Sequence, residues 1–295
     1  MGMITVLALF AQLSSESLRM IEKLIAAGQH REALVAMAAL PVSAQRHLLA
    51  SRAYDGLRDA PNAVREAEAA LALEPQSEAA HLQLGQIFLG HNTPKAALEV
   101  FTEALTYHPR SYLLKAGRGL ALKDLMIYDD AEKELRGCLE QRPAFSVCFD
   151  GLATVYLQAK RFDDLQRVAA GYQRQAPNDY RGHYFLAAAQ SGAGGEPAAI
   201  VELLTASIRL QPKFAAAHAL LGRTRLGQDD IPGAIRALEK AVGLRPGYAP
   251  ALLNLAQAYK RAGRTADAER AFEQLRQANE LERQGKPTLL YHRGK

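Results

Sequence analysis

Between Ala215 and Tyr248, apolar and small residues recur at helical spacing in two runs. The first passes through His218, Leu221, Gly222 and Leu226. The second passes through Ile231, Ala234, Ile235, Leu238, Ala241, Val242 and Leu244, so each run lays one apolar stripe along one helix. Gln228 to Pro232 separates them, and Pro232 suits a first helical turn, where no N–H is needed. Pro246 stops the second run, because it has no backbone donor and disfavours helix at the residue before it. The predicted unit is an antiparallel helical hairpin.

The unit repeats. Pro41, Pro75, Pro109, Pro143, Pro177, Pro212 and Pro246 lie 34, 34, 34, 34, 35 and 34 residues apart, a period that marks a stacked array. In such an array each unit touches only its neighbours, so length does not imply separate globules. One elongated array of about eight hairpins is expected over residues 15–282, between an apolar segment 1–14 and a tail 283–295. Pro41 follows Ala33 about one turn early, which predicts a shortened second helix in the first hairpin. Ser77, Ser111, Ser146 and Asp179 follow prolines where a helix N-cap is needed. The turn Ser191–Pro197 is glycine-rich, but no strand precedes it and no Lys-Ser/Thr follows, so it reads as a flexible turn.

The unit starting at Glu78 carries His81, Leu84, Gly85, Phe88, Ala97, Phe101, Ala104 and Pro109. The one starting at Ala215 has His218, Leu221, Gly222, Arg225, Ala234, Leu238, Ala241 and Pro246 in those places. The last has Leu252, Leu255, Ala256, Tyr259, Ala268, Phe272 and Leu275, with Glu280 for the proline. These positions resemble the tetratricopeptide repeat (TPR). The resemblance implies an all-α, right-handed superhelical solenoid of stacked antiparallel helix pairs. It further implies a non-enzymatic scaffold that binds a protein or peptide segment in its concave groove. The alternative is the repeat portion, or an accessory relative, of a TPR-bearing enzyme such as a transferase. Gly85, Gly119 and Gly222 share one phase, with Ala153, Ala188 and Ala256 there in other units. A helical glycine costs roughly 0.5–1 kcal/mol, so close helix approach is expected at this phase.

Composition narrows the partner. The hydrophobic fraction of 48% supports a continuous core, and no stretch reaches the ~20 apolar residues of a membrane span. The net charge is +5, and residues 260–295 hold nine Lys/Arg against five Asp/Glu. The basic excess is therefore a C-terminal feature rather than a stripe interleaved with aromatics, which argues against nucleic acid. Met1 to Leu13 is apolar without a leading Lys or Arg, and fits either a short signal peptide or a capping helix. Exported and cytoplasmic settings both accommodate it.

No motif calls for a metal, a cofactor or catalysis. His47, His81 and His218 occupy one phase of separate repeats, and HExxH, Cys-x-x-Cys and Gly-x-Ser-x-Gly patterns are absent. Cys138 and Cys148 stand five residues either side of Pro143, opposite each other across a turn. They read either as buried small hydrophobes or as a disulfide, and the disulfide suits export.

The resemblance places partner-binding residues mainly on the first helix of each unit. Carried over by phase, they are Leu48, Arg52, Leu82, Gln86, Leu89, Leu113, Leu120, Lys123, Asp150, Thr154, Leu157, Phe185, Arg223, Leu226, Leu253, Asn254, Gln257 and Lys260. Mostly apolar with scattered cations, such a lining suits an extended or amphipathic segment. A carboxylate clamp for chaperone C-termini would need Lys, Asn and Arg on successive units, and only Asn254, with Arg223 nearby, fits. An asparagine ladder is missing: the phase of Asn254 holds Leu49, Gln83, Gly117, Gly151, Leu186 and Leu220 elsewhere.

Overall fold

The computed structural model describes residues 16–284, and every regular element among them is helical. Helix α1 (described over 16–26) is followed by α2 (His30–Met37), α3 (Ala44–Gly56), α4 (Ala60–Leu73), α5 (Glu78–Gly90), α6 (Pro94–Tyr107), α7 (Tyr112–Asp124) and α8 (Tyr128–Gln141). Then come α9 (Ser146–Gln158), α10 (Phe162–Gln175), α11 (Tyr180–Gly192), α12 (Pro197–Leu210), α13 (Ala215–Gly227), α14 (Ile231–Leu244), α15 (Ala249–Arg261) and α16 (Thr265–Arg283). From α3 to α15, first helices have 13 residues and second helices 14. The second helix of the first hairpin, α2, has only eight, the shortening that Pro41 predicts. The apolar segment 1–14 and residues 285–295 of the tail lie outside the described residues.

The chain forms two compact units that divide between Leu152 and Ala153, within α9. In the first unit each helix from α2 to α7 packs on its successor, and the first helices α3, α5 and α7 also touch in series. In the second unit α10 to α16 pack in order, and α11, α13 and α15 touch in series. Among the described residues no contact joins α4 to α6 or α12 to α14. First helices are therefore the tighter, inner row of each unit.

Inter-helix turns share one device. Arg58, Asn92, Met126, Lys160 and Gly194 are 34 residues apart and all have positive φ, followed by Asp229 and Gly263. Each follows a first helix and closes its end. For example, Ile127 N donates to Leu122 O at 2.9 Å while Met126 N donates to Lys123 O at 2.9 Å, the paired bonds of a Schellman cap. The left-handed position strains a residue with a side chain. Met126→Gly is thus expected to stabilise the fold by about 0.5–1 kcal/mol, since the exposed Met126 side chain packs little. A thermal melt checks it, and a lowered Tm would contradict this reading of the turns.

The extra residue of the 35-residue unit falls after Gly194, because α12 starts three residues beyond that position where other second helices start two beyond theirs. Helix α11 therefore keeps the 34-residue register of α9. The prolines come at the opposite turns, where Ser43, Ser111 and Asp179 cap the next helix through Arg46 N (3.2 Å), Leu114 N (3.1 Å) and Arg181 N (3.0 Å). Ser77 stands at an N-cap without a side-chain cap bond, and Ser146 is already the first residue of α9.

Hairpins close through small residues. The Phe101 ring, fully buried, lies between Gly85 and Gly117, and a Cβ built on either would come within 2.3 Å and 2.4 Å of Phe101 Cζ. Gly119 meets Leu135 and Gly222 meets Leu238 in the same way. Across the turn at Pro143, Cys138 of α8 and Cys148 of α9 are joined by a disulfide with their Cα atoms 6.3 Å apart.

Candidate functional site

In the first unit the first-helix row presents Arg52 and Gln86 exposed and Leu48, Leu82, Leu89, Leu113, Leu120 and Lys123 half-buried. Lys123 is ion-paired with its neighbour Asp124, so its charge is already countered. Apolar side chains dominate this face, and it offers few free cations.

The second unit differs. Here the end of α9, the start of α10 and the helices α11, α13 and α15 enclose a cleft of about 290 Å³. Its apolar wall is Leu157, Phe162, Tyr184, Ala188, Leu220 and Tyr248, and its polar groups come from Lys160, Arg223 and Asn254. These last three belong to three different hairpins, those of α9–α10, α13–α14 and α15–α16. Lys160 occupies the left-handed turn position after α9. Arg223 Nη2 donates to Ser191 Oγ at 2.7 Å, tying α13 to α11 while the guanidinium stays exposed. Asn254 Nδ2 donates to Pro250 O at 2.7 Å within α15. Tyr184 stands edge-on to Phe214 at 4.9 Å between centroids, which fixes the wall between α11 and α13. Burial raises the Tyr248 hydroxyl above its ordinary pKa, with Arg245 and Arg223 pulling the other way, so at neutral pH it is a hydrogen-bond donor. The Arg245 guanidinium lies 4.7 Å from the centre of the Tyr248 ring. No carboxylate lines the cleft.

Of the residues expected from phase, Leu157, Arg223 and Asn254 meet here, while Leu253, Gln257 and Lys260 are exposed on α15 away from the lining. Two expectations need correction. Phe185 is only 7% exposed, and the lining side chain of α11 is its neighbour Tyr184. The physical reason is the insertion after Gly194: placed one helix too early, it shifts α11 by one residue, about 100° around the helix. The same shift makes Ala187, not Ala188, the counterpart of Gly222, and Phe185, not Leu186, the counterpart of Asn254. Leu226 is also only 7% exposed, because it packs into the core with Leu238, Leu255 and Tyr259. Lys160, Phe162 and Tyr248 were missed because they sit in or beside turns, outside the first-helix positions carried over. The recurrence of a left-handed turn every 34 residues is the signal that could have drawn attention to Lys160.

The histidines of the shared phase are engaged in their own repeats. His47 Nδ1 is 2.6 Å from Glu66 Oε2, His81 Nδ1 is 3.0 Å from Ser77 O, and His218 Nε2 is 3.0 Å from Pro212 O. Among the described residues no three His, Cys, Asp or Glu side chains converge as metal ligands, and no helix is long and apolar enough to cross a membrane. A wider hollow beside Ile231, Pro232 and Arg236 also carries cations, but Arg261 and Arg264 there are paired with Asp229 and Asp267.

Two tetratricopeptide repeat models match the chain, one at residues 48–111 and 191–249 and the other at 225–285, together more than half of its length. No curated protein matches. Among solved structures, a tetratricopeptide repeat protein from Parabacteroides merdae is 16% identical with a TM-score of 0.66, covering 84% of this chain and 99% of that one. PilW, a type IV pilus biogenesis factor, is 20% identical with a TM-score of 0.62 over 71% of this chain and 99% of that one. The anaphase-promoting-complex assembly Cut9–Hcn1 gives 15% identity and a TM-score of 0.64 over 81% of this chain. That match spans about half of the other chain, 48%. At these identities the likeness establishes the fold, an all-α solenoid of stacked antiparallel helix pairs. The chain belongs to the tetratricopeptide repeat family, whose repeats build protein-interaction scaffolds.

Proposed function

We propose that the chain acts by holding a partner rather than by catalysis, and that the cleft along α11, α13 and α15 receives an extended partner segment. That segment carries an apolar side chain next to a carboxylate. The observation that carries this reading is the meeting of Lys160, Arg223 and Asn254 over an apolar and aromatic wall with no acidic lining residue. The wall supplies burial of the apolar side chain. The two cations supply attraction and orientation for the carboxylate, and the neutral Tyr248 hydroxyl supplies a further donor. Nucleic acid fits less well, since the cleft is short and presents two cations rather than a track along a backbone.

Fluorescence anisotropy with a panel of labelled acidic-apolar peptides tests the reading. The peptides that bind are expected to lose about tenfold or more in affinity with Lys160→Glu and Arg223→Glu combined, and to lose it again with Leu220→Asp. Arg52→Glu, on the first unit, is expected to leave binding unchanged. Binding that ignores the second-unit changes, or that falls with Arg52→Glu instead, overturns the assignment.

A further inference from the structure

On the face that lines the cleft, α11 carries Tyr184 and, one turn later, Ala188, while α13 carries Ala219 and, one turn later, Arg223. One helix therefore runs from large to small where its neighbour runs from small to large. Ala188 takes the place that Arg52, Gln86 and Leu120 hold on α3, α5 and α7, and Ala219 takes the place of Leu48 and Leu82 on α3 and α5. The two alanines are only 6% and 5% exposed, so their methyl groups make a floor where other hairpins raise a side chain.

Three rings bound this floor, those of Phe162, Tyr184 and Tyr248. Each is fixed by a neighbour. Phe162 fills the space that a side chain on Gly192 would need. Tyr184 is held edge-on by Phe185, 5.0 Å between centroids, as well as by Phe214. The Arg245 guanidinium packs on Tyr248. Rings held in this way form the wall before a ligand arrives, which lowers the cost of binding.

Resting on the reading of the cleft given above, we propose that the apolar side chain it takes is an aromatic ring, phenylalanine or tyrosine, seated on Ala188 and Ala219 between Tyr184 and Arg223. A cavity of about 150 Å³ is enough for a benzene ring, so the cleft of about 290 Å³ has room for one ring and the adjoining carboxylate. Rings gain from edge-on or offset contact with other rings beyond the area they bury. A guanidinium stacks on a ring face and still donates through its edge to a carboxylate. An aliphatic side chain of the same size gains neither.

Three acidic peptides that differ only at the apolar position, with phenylalanine, cyclohexylalanine or leucine there, separate these contributions in the anisotropy assay. The phenylalanine peptide is expected to bind the unaltered chain about tenfold tighter than the other two. Ala188→Leu and Ala219→Leu, which each fill the floor, are expected to remove that preference, with helical content by circular dichroism unchanged. Equal affinities on the unaltered chain overturn the proposal, and so does a preference that survives both substitutions. If equal affinities still fall with Lys160→Glu and Arg223→Glu combined, the ring preference alone is lost. If they ignore those changes, the assignment of the cleft is lost with it.

Discussion

Gly85→Ala and Gly117→Ala are each expected to destabilise the first unit by about 1–3 kcal/mol, against the usual gain from alanine in a helix. The reason is the Phe101 ring, against whose tip both glycines stand. A methyl group on either would need space that the ring already fills, within 2.3 Å and 2.4 Å of Cζ. The ring cannot retreat, because it is fully buried among Ala97, Ala104, Leu114 and Ala121. Phe101→Leu is expected to cost stability alone and to rescue part of the loss when combined with Gly85→Ala, since the two changes share one volume. Thermal or urea melts of the four chains form the cycle. Alanine variants that melt unchanged, or losses that simply add, would show that the hairpins are not closed at this point.

Reduction is expected to have the other large effect. The Cys138–Cys148 bond closes a short loop across the turn at Pro143, with a sequence separation of ten. In the chain-entropy description such a loop contributes roughly 2–3 kcal/mol by restricting the unfolded chain. Reductant should lower the Tm by several degrees, and a Cys138→Ser, Cys148→Ser chain should melt at that lower temperature whether or not reductant is present. Thiol counting on denatured, non-reduced protein should find none. Two reactive thiols in that sample would remove the bridge from the account.

Most of the fold was legible because its signals are backbone signals. Pro75, Pro109, Pro143, Pro177, Pro212 and Pro246 mark the turns between hairpins, and Gly85, Gly119 and Gly222 mark where a neighbouring side chain is seated. Such constraints leave the same trace in every repeat. The left-handed turns were harder to read, since Arg58, Asn92, Met126 and Lys160 share a conformation but no residue type. The cleft was less legible still. A single inserted residue, whose place within its unit the proline spacing does not reveal, decides whether Tyr184 or Phe185 lines the cleft. Lys160 and Tyr248 come from turns, whose direction depends on how hairpins stack rather than on helical period. The cysteine pair shows a similar limit: spacing puts the two residues opposite each other, but inward orientation of both side chains is a property of the packing.

The most direct test of the partner-binding reading is amide hydrogen exchange on the full-length chain with and without a saturating peptide selected from the panel. Slower exchange concentrated in α11, α13 and α15 and in the turn at Lys160 is the predicted result. Protection confined to α3, α5 and α7, with the second-unit helices unchanged, would contradict it.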